Sequence, residues 1–151
     1  MSPEKASLNP LTMFCCSSGF KDLKVSEPLI KALTALDINK PFPIQKATLP
    51  DAISGKDILG RGQTGSGKTL AFGLALLTRL SGRNAAPMRP LALVLSPTRE
   101  LAMQINDVIA PLSRSVNLNS QVVAGGLSYS KQIQSLKRGV PIVVATPGRL
   151  I

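Results

Sequence analysis

The sequence predicts an α/β domain built on a mainly parallel β-sheet. In the second half of the chain, short apolar runs alternate with amphipathic stretches of helical period. This alternation produces parallel strands that are joined by helical crossovers. A glycine-rich loop at residues 62–67 also lies between a short apolar run and an apolar helix. Both features are typical of sheets that bind ligands at the carboxyl ends of their strands.

Two helices are expected before the glycine-rich loop. Ser26 can cap the first helix, with Pro28 in its first turn. The apolar face of this helix would consist of Leu29, Ile30, Leu33 and Leu36. The second helix should run over residues 44–53, bend at Pro50 and end at Gly55.

The rest of the chain is predicted to alternate between strands and helices. A first short strand should end over residues 57–61, before the loop, and an apolar helix should follow at 70–77. Further strands are expected at 91–95, 121–124 and 141–145, and further helices at 97–112 and 128–138. The run 91–95 is apolar throughout, as in strands that are covered on both faces.

Length and charge restrict the domain organisation and the partner. The 151 residues suit one domain, here residues 20–151, preceded by a flexible segment at 1–19. Lys and Arg number 18 against 8 Asp and Glu, which gives a net charge of +10. This excess favours a polyanionic partner, nucleic acid before membrane, although a merely solubilising basic surface would have the same composition.

The cysteines and the apolar runs indicate a cytoplasmic protein. Cys15 and Cys16 are adjacent, so a disulfide between them would be strained, and the chain has no His for a zinc site. We therefore expect reduced thiols. No signal peptide is expected at the N-terminus, and the longest apolar run, 70–77, is too short to span a bilayer.

Residues 62–69 form a phosphate-binding loop of the Walker A pattern G-x-x-x-x-G-K-[ST]. The backbone N–H groups that would surround a phosphate belong to Gln63, Thr64, Gly65, Ser66 and Gly67. Lys68 can reach the terminal phosphates, and the Thr69 hydroxyl can hold Mg²⁺. The alternative is a Gly- and Ser-rich turn that caps an ordinary helix. The context of strand and helix favours nucleotide binding.

Three further loops follow predicted strands and should meet at the same edge of the sheet. They contain Pro97-Thr98-Arg99, Gly125-Gly126 and Thr146-Pro147-Gly148-Arg149. Two of them combine Thr, Pro and Arg at the start of a helix, where N–H groups, a hydroxyl and a guanidinium can bind a phosphate. Either loop alone would be an ordinary helix start. Their repetition in a basic chain favours phosphate binding.

From Phe20 to its end, the chain resembles the first part of the DEAD-box ATP-dependent RNA helicases. Residues 37–45 resemble the Q motif of that family, with Phe20 as its upstream aromatic residue. The phosphate loop corresponds to motif I, residues 97–102 to motif Ia, Gly125-Gly126 to the GG motif and residues 146–149 to motif Ib. The resemblance implies a three-layer RecA-like fold, ATP and Mg²⁺ as cofactors, and RNA as the partner.

The resemblance also implies roles for single residues. Gln45 would pair with adenine, since a carboxamide matches its hydrogen-bonding edge, and Phe20 would stack on the base. Without the resemblance, Gln45 would be a surface residue at a helix start and Phe20 a core anchor. Motifs Ia, GG and Ib would bind the RNA backbone, independently of base sequence. Protein partners cannot be inferred.

The sequence departs from the family pattern at several positions. Asp37-Ile38 stands in place of Gly-Phe, Phe42 in place of Thr and Gly62 in place of Ala. The Asp-Glu-Ala-Asp and Ser-Ala-Thr motifs and the second RecA-like domain are not found in these 151 residues. We therefore expect a truncated first domain that binds nucleotide without hydrolysing it, whereas the intact protein would unwind RNA. Another phosphate-loop NTPase and a nonenzymatic RNA-binding module remain the alternatives.

Overall fold

A computed structural model of the chain describes residues 19–151. The segment 1–19, predicted to be flexible, lies outside this range except for its last residue. No helix within the range is long and apolar enough to cross a membrane. The elements in chain order are α1 (Glu27–Ala35), α2 (Pro43–Ser54), α3 (Lys68–Leu80), β1 (Ala92–Leu95), α4 (Arg99–Arg114), β2 (Ser120–Val123), α5 (Tyr129–Arg138), β3 (Ile142–Ala145) and α6 (Pro147–Leu150).

The three strands form a parallel sheet in the order β1-β3-β2. Ala145 at the end of β3 lies opposite both Leu95 of β1 and Val123 of β2, so the three strands end at one level. The side chains of β3 are all buried, with exposed fractions of 0–2%. The predicted parallel α/β arrangement is confirmed.

Alternation along the strands divides the core into two clusters on opposite faces of the sheet. On one face, Val122, Ile142 and Val144 share an apolar cluster with residues of α1 to α4. On the other face, Val123, Val143 and Ala145 pack against Leu136 of α5. The domain therefore has three layers, helix–sheet–helix, as the sequence predicts.

The strand predicted before the phosphate loop is not present. Residues 56–63 have no regular secondary structure, and Leu59 is 96% exposed. A strand needs a neighbour for its backbone hydrogen bonds. Within residues 19–151, β1 is paired with β3 alone and residues 57–61 do not join it. The sheet of the described part thus has three strands instead of four.

The prediction that the strand at residues 91–95, observed as β1, is covered on both faces is also wrong for the described part of the chain. Leu93 and Leu95 of β1 are 47% and 57% exposed, whereas Ala92 and Val94 pack against the larger cluster. The small cluster under α5 is formed by residues of β2 and β3, so the corresponding face of β1 remains open to solvent. Both faces of β1 are therefore apolar, but within residues 19–151 only the face that packs against the larger cluster is covered.

The first two helices differ from the predictions in their details. Ser26 occupies the N-cap of α1, but its buried hydroxyl has no hydrogen-bond partner. Leu29 and Leu33 are fully buried, whereas Leu36, predicted on the same face, is 51% exposed. α2 begins one residue earlier than predicted and ends as expected at Gly55, whose φ of 98° is left-handed.

Replacing Leu74 should test the larger core cluster. Leu74 on α3 is fully buried, so Leu74→Ala should lower the free energy of unfolding by about 2–5 kcal/mol. Leu95→Ala is the matched control, because the same atoms are removed from a side chain that is 57% exposed. Its effect should be about 0.5 kcal/mol. Urea denaturation measures both, and equal losses would contradict the assigned core.

Candidate functional site

The phosphate loop has the backbone geometry of an anion-binding turn. Gly65 and Gly67 have φ angles of 81° and 83°, a region that side chains with a Cβ avoid. Gly67 is also the N-cap of α3, so no side chain caps the first N–H groups of this helix. These groups and the helix dipole favour an anion at this position. The loop therefore fits the phosphate groups of a nucleotide.

Lys68 is folded back onto the loop that it follows. Its ammonium donates hydrogen bonds to the carbonyl oxygen of Gly62 and, at 2.7 Å, to that of Gln63. The charge thus lies inside the loop. A phosphate group that enters the loop would replace these carbonyl oxygens as the partner of the ammonium.

Thr69 lies in the first turn of α3 and is partly exposed. Among residues 19–151, no group of three His, Cys, Asp or Glu side chains is arranged to hold a metal ion. A Mg²⁺ ion at Thr69 would take its further ligands from phosphate oxygens and water. The metal-binding role of Thr69 stays a prediction.

Gln45 connects the start of α2 to the phosphate loop. Its Oε1 accepts a hydrogen bond from the backbone N–H of Phe42 at 2.9 Å, and its Nε2 donates to the carbonyl of Gly67 at 3.1 Å. The side chain is fully buried, so the interpretation of Gln45 as a surface residue is wrong. Adenine pairing stays a prediction, and it requires this amide to become accessible.

Two aromatic residues lie near the start of the domain. Phe20 is 4% exposed and belongs to the larger core cluster, as the sequence pattern alone indicated. Stacking of Phe20 on a base stays a prediction that requires exposure of its ring. Phe42 is 49% exposed. Its ring lies close to Gly67, since a Cβ added to that glycine would be only 2.9 Å from a ring carbon. The aromatic side chain that contacts the phosphate loop in this conformation is therefore Phe42.

Gly62, where the family pattern has Ala, is closely surrounded. A Cβ at this position would lie 2.7 Å from the Ser66 hydroxyl and 3.0 Å from the Ile44 side chain. The Ser66 hydroxyl is buried and has no hydrogen-bond partner. An alanine at position 62 would therefore require the Ser66 hydroxyl and the end of the Ile44 side chain to move.

The three other loops meet at the carboxyl edge of the sheet, as predicted. Because β1, β2 and β3 end at one level, the segments that follow them enclose a pocket of about 500 Å³. We call it the strand-end pocket. It is lined by Pro97, Arg99, Gly125, Thr146, Pro147, Gly148 and Arg149. Of the residues predicted in these loops, Thr98 and Gly126 are not part of the lining.

Thr98 and Gly126 lie next to lining residues of the strand-end pocket without lining it themselves. The Thr98 hydroxyl accepts a hydrogen bond from the Leu101 N–H at 3.3 Å and caps α4, which is the ordinary role of Thr at a helix start. Gly126 has a φ of 76°, and a Cβ there would overlap the guanidinium of Arg99. By contrast, a Cβ on Gly125 would meet nothing within 4 Å.

Two residues near the pocket were not predicted from the sequence. The guanidinium of Arg149 lies 4.5 Å from the centre of the Tyr129 ring. Gln132 on α5 is 4% exposed and donates a hydrogen bond to the carbonyl of Ala124 at 3.1 Å, just before the glycine pair. A polar residue on the inward side of an amphipathic helix was the available signal for Gln132. Nothing in the spacing indicated the contact of Tyr129.

The sequence has relatives of known family. Residues 42–151 match the family model of the DEAD/DEAH box helicases. The chain is 45% identical over 135 residues to the ATP-dependent rRNA helicase RRP3 of Pyricularia oryzae, covering 89% of this chain and 24% of that protein. It is also 45% identical over 137 residues to the ATP-dependent RNA helicase DRS1 of Lodderomyces elongisporus, covering 89% and 20%. The chain thus spans a quarter or less of these relatives.

The fold has a counterpart among solved structures. The crystal structure of the RNA-helicase Prp28 from Chaetomium thermophilum bound to ADP superposes with a TM-score of 0.77 and 36% identity. The similarity covers 86% of this chain and 32% of that one.

Gly126→Ala should test the left-handed backbone conformation at the glycine pair. An alanine at position 126 would have to keep a left-handed backbone, and its methyl group would displace the guanidinium of Arg99. We therefore expect a loss of about 1–2 kcal/mol in the free energy of unfolding. Gly125→Ala is the control, since that position is open. Denaturant titration of both variants provides the measurement. Equal stabilities would contradict the left-handed backbone assigned to Gly126.

Proposed function

This chain belongs to the DEAD/DEAH box helicase family, and we propose that it is the nucleotide-binding part of an ATP-dependent RNA helicase. It would bind ATP with Mg²⁺ at the phosphate loop and the backbone of single-stranded RNA at the strand-end pocket. In the intact protein, ATP binding and hydrolysis would drive the separation of RNA duplexes. The curated relatives are ATP-dependent RNA helicases by name, which supports the proposal.

One observation carries the proposal: the same domain combines a Walker A loop with a pocket that holds two arginines. Gly65, Gly67 and the start of α3 offer N–H groups to phosphates. Arg99 and Arg149 line a pocket formed by three strand ends. Together the two sites would hold a nucleotide and a second polyanion on one α/β domain.

At the phosphate loop, each residue would have a distinct task. The N–H groups from Gln63 to Gly67 would surround the phosphates, and Lys68 would neutralise their charge. Thr69 would hold Mg²⁺ together with phosphate oxygens. Gln45 would recognise adenine once its amide becomes accessible. Because the same amide donates to the carbonyl of Gly67, base recognition would alter a contact of the phosphate loop.

At the strand-end pocket, the chemistry suits phosphates more than bases. Two guanidinium groups, the Thr146 hydroxyl and the backbone of a glycine-rich loop can bind phosphate oxygens. Such contacts fix the position of a strand but carry no sequence information. RNA binding here should therefore be independent of sequence.

The activation of water for hydrolysis is not assigned to any residue of this chain. In the related helicases, as the resemblance implies, carboxylates of the Asp-Glu-Ala-Asp motif perform this step, and that motif is not among these 151 residues. The proposal for the chain itself is therefore binding of ATP and RNA. A cytoplasmic location stays a prediction that rests on the adjacent cysteines.

Nucleotide binding should depend on Lys68 and Gln45 in different ways. Lys68→Ala should weaken ATP and GTP alike, by about tenfold to a hundredfold, because a charged hydrogen-bond donor to the phosphates is lost. Gln45→Ala should weaken ATP about tenfold more than GTP, because the carboxamide matches adenine. Calorimetric titration with nonhydrolysable analogues measures both effects, with Lys31→Ala on the exposed side of α1 as the control.

If Gln45→Ala reduces the affinity for ATP and GTP equally, Gln45 acts only as the cap of α2 and the tether of Gly67. If Lys68→Ala retains the affinity for ATP, the phosphate loop is not the nucleotide site.

RNA binding should lose part of its salt dependence when the arginines of the strand-end pocket are replaced. Each neutralised phosphate of a single strand contributes about 0.7 to the slope of log affinity against log salt. Arg99→Gln combined with Arg149→Gln should thus flatten the slope by about 1.4. The affinities of unrelated RNA sequences should fall similarly. The measurement is a salt titration of RNA binding with an ATP analogue present.

Replacing two other arginines, Arg79 and Arg83, gives the matched control, because neither contributes to the strand-end pocket. A wild-type slope in the Arg99/Arg149 variant, with an unchanged unfolding midpoint, would mean that these arginines only support the loops.

A further inference from the structure

The acidic residues of the chain are confined to its first part. Asp107 is the last acidic residue, whereas five basic residues follow it. These are Arg114, Lys131, Lys137, Arg138 and Arg149. The segment that contains β2, α5 and β3 therefore carries only positive charge. Among residues 19–151, the one salt bridge joins Lys56 and Asp51, so no carboxylate offsets these charges.

Helix α5 presents part of this charge on an exposed face. Its surface carries a shallow groove of about 630 Å³, lined by Tyr129, Ser130, Lys131, Ile133, Gln134 and Lys137. The Tyr129 side chain is 62% exposed. The inward side of α5 packs against the sheet through Leu136 and Gln132, so the groove lies on the outer side of the layer. An aromatic ring, an amide, a hydroxyl and two ammonium groups thus share one surface.

The groove adjoins the strand-end pocket through one contact. Arg149 lines that pocket, and its guanidinium stacks on the ring of Tyr129 at 4.5 Å, where the groove begins. The contact between Arg149 and Tyr129 is a cation–π pair, which holds both side chains at the boundary. One face of the Tyr129 ring is therefore covered by Arg149, and the residue as a whole is still 62% exposed.

We propose that the groove on α5 is a second RNA-binding surface, on which the strand that leaves the strand-end pocket continues. This inference rests on the proposed function. A base stacks on the exposed face of Tyr129, and phosphates lie near Lys131 and Lys137. Stacking platforms combined with positive grooves are the usual means of binding single strands. From Tyr129 to Lys137 the helix rises about 12 Å, which accommodates a short run of nucleotides.

The composition of the groove favours RNA over an acidic protein. Its one apolar side chain, Ile133, is partly buried, whereas protein interfaces usually have a larger apolar centre. The exposed ring is continuous with a pocket already suited to phosphates, and a nucleic-acid strand supplies bases and phosphates in regular alternation. An acidic protein partner is retained as an outcome of the experiment.

The test measures binding of uridine oligoribonucleotides of increasing length to the 151-residue chain and its variants. In Lys131→Gln/Lys137→Gln, the salt slope for long RNA should fall by about 1.4. For RNA that is too short to leave the strand-end pocket, the slope should not change. Lys24→Gln/Lys31→Gln is the matched control, because both lysines are exposed. Lys31 lies on α1, which packs in the opposite layer, and Lys24 lies in the turn just before that helix. This control should match the wild type.

Replacement of Tyr129 tests the stacking contact separately. Tyr129→Leu should lower the affinity for long RNA about tenfold. Tyr129→Phe should retain the wild-type affinity, since the ring is kept. For RNA with abasic positions, the affinities of the wild type and of Tyr129→Leu should be equal, because no base is available to stack. An equal loss for RNA with and without bases would show that Tyr129 only supports Arg149, and would overturn the stacking contact.

The outcomes separate this inference from the proposed function. If the wild-type chain binds RNA and the α5 variants keep its affinity and slope at every length, the second surface is excluded while the strand-end pocket remains. If poly-glutamate binding depends on Lys131 and Lys137 but RNA binding does not, the groove is a protein-binding surface. If the wild-type chain does not bind RNA at all, both proposals fail.

Discussion

The strand-end pocket depends on the pairing of β3 with strands on both of its sides. β3 is buried on both faces and hydrogen-bonded to β1 and β2, so its position is fixed by packing and by backbone pairing at once. Because the three strands are parallel and in register at their carboxyl ends, their following loops must begin together. The meeting of Arg99 and Arg149 at one pocket is a consequence of this pairing.

The parts of the fold that were predictable are those with a local signal. Alternating apolar strands and amphipathic helices specify parallel crossovers, and glycines at positions such as Gly55 and Gly139 mark helix ends. The strand expected at residues 57–61 had a similar apolar signal but remains without regular structure. Strand formation needs a neighbour in space, and a sequence pattern does not show whether that neighbour is present. For the same reason, the sequence pattern could not show that Leu93 and Leu95 of β1 have no covering neighbour on their face of the sheet among the described residues.

The candidate site was predictable by position but less so by contact. The strand-end loops were correctly placed together, since parallel topology alone requires it. The partners of Gln45 could not be found in this way, because its contact with Gly67 spans 22 residues of the chain. Likewise, the stacking of Arg149 on Tyr129 joins residues 20 positions apart, 149 less 129, across the edge of the sheet. Such contacts are set by side-chain directions after the backbone has folded.

The hydrogen bonds of Lys68 within its own loop would lower the net affinity of that loop for a phosphate. The ammonium is already solvated by two carbonyl oxygens of the chain, so the resting loop is a closed state rather than an open receptor. A ligand can form its full set of contacts only after these bonds exchange, which is a step within the protein. The free energy of breaking these two hydrogen bonds would therefore be subtracted from the affinity for any phosphate that enters the loop.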